Sequence, residues 1–96
     1  MKKPRQVGWS RRAENDLYGI SDYIAQNNPE AADAFVDYVE AVVADLAVSP
    51  IGRRGELEGS TEKVLANYPN YLIIYKYDDS HIHIVRVFHV KQGSKK

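Results

Sequence analysis

The spacing of apolar residues changes period along the chain. Ala13, Leu17, Ile20 and Ile24 recur at steps of four, three and four. That spacing predicts one stripe of a helix over residues 11–26. Ser10 precedes it as an N-cap, because its hydroxyl can accept a free backbone N–H of the first turn. Gly19 weakens this helix by about 1 kcal/mol relative to alanine. Asn28, Pro29 and Glu30 then predict a second start, with a cap, a proline suited to the first turn and an acid at the positive end of the dipole. Ala32, Phe35, Val36, Val39, Val42, Val43 and Leu46 form a broader stripe, so the second helix is the better buried. Ser49-Pro50 ends it, and the short link at Asn27-Asn28 predicts an antiparallel helical pair.

The last third alternates instead. Tyr71 to Tyr77 and His81 to His89 are β-rich runs, and the polar break Asp78-Asp79-Ser80 between them predicts a hairpin. Val7-Gly8-Trp9 is a short β-like run, and Glu62 to Ala66 a short strand. Residues 51–61 carry three glycines and no period, which reads as a surface loop. The predicted order is β-α-α-β-β-β, an α+β fold with a helical hairpin packed on a small, mainly antiparallel sheet. Strict alternation puts Ile82, Ile84, Arg86 and Phe88 on one face of the last strand, and His81, His83, Val85, Val87 and His89 on the other. Neither face is uniformly polar, which predicts a central strand. Arg86 is the anomaly: an arginine among apolar neighbours needs a partner or a route to water.

Ninety-six residues make one domain, 1–96, with 1–6 and 93–96 read as mobile tails. The absence of cysteine excludes disulfides, thiolate metal sites and cysteine nucleophiles. No apolar run reaches the roughly 18 residues of a membrane span. No signal-peptide core follows the amino terminus, and the expected compartment is the cytoplasm. The net charge is zero, but the charges are sorted. Residues 1–12 carry five bases and no acid, residues 13–50 eight acids and no base, and the stretch from His81 onward no acid. Sorted charge is consistent either with solvated faces or with faces meant for partners.

Several short patterns occur in order. They are Ala13-Glu14-Asn15-Asp16-Leu17 with Ile20 and Tyr23-Ile24; Asn28-Pro29-Glu30-Ala31-Ala32 with Phe35; and Ser49-Pro50 followed by Gly52-Arg53. Tyr68-Pro69-Asn70-Tyr71-Leu72-Ile73-Ile74-Tyr75 comes next, and Ile82 to Val87 followed by His89 closes the set. Over about residues 7–92 this set resembles ParE-type toxins of the ParE/RelE superfamily, from bacterial type II toxin–antitoxin modules. The resemblance implies a toxin that traps the DNA gyrase–DNA cleavage complex. It also implies a ParD-like or other cognate antitoxin whose flexible carboxy-terminal segment wraps the toxin. Many relatives carry Arg-Glu after the loop threonine, where this chain has Glu62-Lys63.

The RelE-like branch cleaves messenger RNA on the ribosome. That reaction needs a base for the ribose 2′-OH, an acid for the leaving oxygen and cations for the phosphorane. The matching region here offers Arg86, His89 and Lys91, with Arg53 and Arg54 on a loop. Arg86 and His89 fall on opposite faces of a regular strand, and nothing after His89 completes a nuclease set. A binding toxin without catalysis is therefore the favoured reading, with Arg53, Arg54, Arg86, His89 and Lys91 as target contacts. A ribosome-dependent endonuclease is the alternative. Tyr71, Ile73, Tyr75 and Tyr77 share a face and are candidates for an antitoxin groove. His81 and His83 lie two apart on a strand and can bind zinc if a third ligand arrives, for which only Asp78 or Asp79 is near; solvated histidines beside the turn are the favoured reading. Neither a metal nor a cofactor is expected. Arg11-Arg12 open the first helix at the end where the dipole disfavours cations.

Overall fold

The computed structural model describes residues 3–55 and 59–90. Its elements are β1 (Gln6–Trp9), α1 (Arg11–Ala25), α2 (Pro29–Val48), β2 (Arg53–Arg54), β3 (Thr61–Leu65), β4 (Tyr68–Tyr77) and β5 (His81–His89). The five strands form one sheet in the order β1-β5-β4-β3-β2. β1 runs parallel to β5, and the other neighbours are antiparallel.

Both helix starts form as their caps dictate. The Ser10 hydroxyl accepts from the Ala13 N–H at 2.9 Å and donates to the Val85 carbonyl at 2.9 Å. One side chain thus caps α1 and ties it to β5. The Asn28 side chain accepts from the Ala31 N–H, with Pro29 in the first turn of α2. Ala13, Leu17, Phe35, Val39, Val43 and Leu46 face the sheet and are buried. The sheet meets them with Leu65, Ile73, Tyr75, Ile82, Ile84 and Val87. Phe35 is fully buried, edge-on to Tyr68 and Tyr71 at centroid distances of 4.9 and 5.3 Å. No helix among the described residues is long and apolar enough to cross a membrane.

Four expectations need correction. First, residues 51–61 are not wholly loop: Arg53 and Arg54 pair antiparallel with Glu62 and Thr61 and extend the sheet. The segment is anchored by the Tyr75 hydroxyl, which donates to the Ile51 carbonyl. Its close approach needs Gly52, which sits at φ +149° with space for a Cβ only 2.4 Å from the Glu62 carbonyl oxygen. The cross-strand neighbour of Arg53 is Glu62, and their side chains pair at 3.3 Å. The acid at this position therefore has a local structural use.

Second, Arg5 and Gln6 are not a mobile tail. The Arg5 N–H donates to the Ala47 carbonyl at 2.9 Å, its guanidinium to the Asp78 carbonyl, and the Gln6 N–H to the Ser80 carbonyl at 2.9 Å. Residues 93–96 lie outside the described residues. Third, β5 does not alternate strictly. The register shifts between Ile74 opposite Arg86 and Tyr75 opposite Ile84, leaving Val85 as a bulge. The core face therefore runs Ile82, Ile84, Val87, and Arg86 and Phe88 turn to the other side.

Fourth, Tyr71, Ile73, Tyr75 and Tyr77 do lie on one side of β4, but it is the side beneath the helices. Ile73 and Tyr75 are fully buried there, so they have no surface left for a docked segment. Tyr71 is half-buried, and Tyr77 is exposed with the Arg5 guanidinium over its ring at 5.2 Å.

The two glycines should respond oppositely to alanine. Gly52→Ala should cost roughly 2 kcal/mol from strain and clash. A Cβ at Gly19 meets nothing within 4 Å, so Gly19→Ala should gain up to about 1 kcal/mol. Thermal and urea unfolding of both variants against the parent measures the difference.

Candidate functional site

β1 ends at Trp9, opposite Ile84. Beyond that point no strand among the described residues flanks β5 on that side, and its edge faces α1. Asp16 fills the gap. Its carboxylate accepts the Val87 backbone N–H at 3.1 Å, an edge donor that a longer β1 would have taken. It also accepts from Arg86, at 2.7 Å from Nε and 3.3 Å from Nη2. Side-chain exposures of 17% for Asp16 and 29% for Arg86 make this a half-buried, two-pronged pair. The planar fork of arginine suits this geometry better than lysine. Arg86 has thus found the partner that its apolar surroundings required. The guanidinium also lies 5.4 Å from the centre of the Phe88 ring.

Between α1 and this end of β5 lies an open cavity of about 480 Å³. α1 contributes Asn15, Asp16, Gly19, Ile20 and Tyr23 to its wall. The sheet contributes Tyr71 and the run Arg86 to His89. The His89 ring stands edge-on to Tyr71 at 4.8 Å. Burial raises the Tyr71 phenol above its ordinary pKa, and neighbouring Tyr23 adds to the shift. Arg86 and His89 are brought to one cavity even though they leave opposite faces of β5, because the free edge lies between those faces.

Arg53 lies elsewhere. The pairings Arg53–Glu62, Glu62–Ile74 and Ile74–Arg86 make one row across the sheet, on the face turned from the helices. Three strand spacings separate its ends, about 14 Å. Arg53 is occupied by Glu62. Arg54 is exposed, and its side chain has no ion pair among the described residues. Lys91 lies outside the described residues. His81 and His83 are exposed near the hairpin turn, and His81 is 3.7 Å from Asp78. Asp78 itself accepts the Ser80 and His81 N–H groups at 2.8 Å, which holds its carboxyl below the usual range.

The site residues missed in the sequence are Asp16, Asn15 and Gly19. Asn15 and Asp16 stand in the Ala13-Glu14-Asn15-Asp16-Leu17 pattern, but among eight acids in an acidic half nothing marks Asp16 as the partner of a strand residue. The signal was the unexplained Arg86, whose partner had to come from an element not adjacent in sequence.

Residues 7–93 match the family described as ParE toxin of type II toxin–antitoxin system, parDE. The chain belongs to the ParE toxin family. It is a type II toxin of the ParE/RelE superfamily. A curated relative, Toxin RelE2 of Caulobacter vibrioides, is 39% identical over 84 residues, covering 88% of this chain and 93% of the relative. Among solved structures, the chromosomal ParDE toxin–antitoxin system of P. aeruginosa aligns with a TM-score of 0.79 at 26% identity, over 90% of this chain and 96% of that one. The RelBE2 toxin–antitoxin complex of Mycobacterium tuberculosis shares the fold at a TM-score of 0.55 and 22% identity, over 91% and 99% of the two chains.

Removing one partner of the Asp16–Arg86 pair should cost more than removing both. Asp16→Ala strands a half-buried guanidinium and the Val87 N–H, for about 2–3 kcal/mol. Adding Arg86→Ala should recover part of that loss in a double-mutant cycle by urea unfolding. A second check concerns Tyr75, whose phenol is pushed up to about 12 by burial first and Tyr77 second. The folded state holds this proton more tightly than the unfolded chain, where tyrosine titrates near pH 10. Its contribution to stability is complete below that pH and is lost as pH rises toward about 12. Ultraviolet titration should show a last tyrosine step that Tyr75→Phe removes.

Proposed function

We propose that this toxin acts by binding DNA gyrase and trapping the gyrase–DNA cleavage complex, and that it is neutralised by a cognate antitoxin of the ParD kind. The observation that carries the reading is the two-pronged Asp16–Arg86 pair. A nuclease of the RelE type needs a cation to stabilise the charged phosphorane. Arg86 is already neutralised, and freeing it would leave Asp16 and the Val87 N–H without their partner. The His89 ring is packed edge-on against Tyr71. The greater structural likeness to the ParDE system than to RelBE2 supports the same reading. Exposed Arg54 on the edge strand, with Arg53 beside it, is the proposed contact for the target.

The alternative is a ribosome-dependent mRNA endonuclease using Arg86, His89 and Lys91. It draws support from the relative named RelE2 and from the cavity shared by Arg86 and His89. Purified toxin added to gyrase and plasmid should give linear DNA after detergent treatment, with loss of supercoiling. Arg54→Glu should raise the concentration required. Unimpaired supercoiling without cleaved DNA, at concentrations that arrest growth, rejects the gyrase reading. Cleavage of mRNA on translating ribosomes, lost in a folded His89→Ala variant, would establish the alternative.

A further inference from the structure

The cavity beside β5 has features that neither the core nor the Asp16–Arg86 pair requires. Arg11, Asn15, Gly19 and Tyr23 follow one another at steps of four along α1, so they form one surface row. All four are exposed, and the last three line the cavity. Gly19 is costly in mid-helix, yet a Cβ there would meet nothing within 4 Å beyond its chain neighbours and the backbone of its own helix. Internal packing does not demand the glycine. What it does is leave a gap in the cavity wall between Asn15 and Tyr23.

The chemistry of the lining selects an occupant. Tyr23, Tyr71, Phe88 and His89 supply aromatic surface. Asn15, the two tyrosine hydroxyls and the Asp16–Arg86 pair supply donors and acceptors around it. Asp16 and Arg86 cancel in charge, so neither a free cation nor a free anion is favoured inside. Such a rim is too polar for a purely aliphatic anchor. It suits a neutral, planar, hydrogen-bonding ring. The volume of about 480 Å³ lies within the roughly 300–1,000 Å³ usual for small-ligand sites. Arg11 stands next in the row, about 6 Å along the helix from Asn15, where a phosphate attached to such a ring could reach it. This gives a use to a cation placed against the helix dipole.

We propose that the cavity between α1 and the free end of β5 is a nucleobase site, taking one unstacked base of a single-stranded nucleic acid while Arg11 meets the adjoining phosphate. The proposal does not rest on the gyrase reading, because binding is measured without gyrase or ribosome. The test is fluorescence anisotropy of the full chain with labelled ten-residue single strands of DNA and RNA, and with an abasic ten-mer of the same charge. Base-bearing strands should bind about tenfold more tightly than the abasic one, the size expected for one stacked base. Tyr23→Ala should remove that advantage without changing abasic binding. Gly19→Leu should do the same while raising the melting temperature, which separates a blocked cavity from a damaged fold. Arg11→Gln should weaken all strands and lower the salt slope by about one. Competition by millimolar AMP or UMP would show that a free nucleotide suffices. Its failure, with the base advantage intact, would show that a base is read only within a strand. Equal affinity for the abasic strand, no binding of any strand, or variants without effect overturns the proposal. So does loss of antitoxin binding in Tyr23→Ala and Gly19→Leu with oligonucleotide affinity unchanged, which would assign the cavity to a protein side chain.

Discussion

Among the described residues, strand β5 has a strand on both sides only along its first half. β1 reaches Ile84 and stops, because Ser10 must leave the sheet to cap α1. The remaining edge of β5 is left to a helix, and a helix backbone has no hydrogen bonds to spare for a neighbouring strand. Side chains must supply them. The Ser10 hydroxyl takes the Val85 carbonyl, and the Asp16 carboxylate takes the Val87 N–H. The bulge at Val85 falls where the strand changes from a strand neighbour to a helix neighbour. It also decides which side chains enter the core.

Those few contacts hold the molecule together across its length. Asp16 and Arg86 are separated by 70 residues, and Ser10 and Val85 by 75. Together they fix α1 against the last strand, while the apolar stripe of α2 covers the centre of the sheet. At the opposite end, Arg5 joins the end of α2 to the β4–β5 turn. The far edge is held by Tyr75, whose hydroxyl reaches the loop before β2. The sheet is thus pinned at both edges by polar contacts and at its middle by Phe35 and its aromatic neighbours.

The same arrangement shapes what the surface can do. An arginine locked to a carboxylate is a poor electrostatic catalyst but a good wall for a cavity, since it offers directed donors without net charge. The gap between helix and strand edge is the direct result of ending β1 early. Its two lining tyrosines come from elements that present them for different reasons. Tyr71 is part of the cover of Phe35, whereas Tyr23 lies on the outer side of α1 and contributes little to the core.

Much of the fold was legible in the residues alone. The step-of-four stripes, the Ser10 and Asn28 caps and the Asp78-Asp79-Ser80 turn are local signals, and local geometry realises each of them. The chain order of the main elements and the antiparallel hairpin followed from those signals, as did the requirement that Arg86 find a partner. The identity of that partner did not, because eight acids in the first half look alike until the sheet chooses which one faces the strand edge. Nor did the true faces of β5, since a one-residue bulge reverses alternation and leaves no mark in an apolar run. The tyrosine row of β4 was correctly placed on one face, but only the docking of the helices decided that this face is inside. Periodicity is a property of neighbours along the chain. Partnership, register and burial depend on which distant elements meet, and these the tertiary structure alone determined.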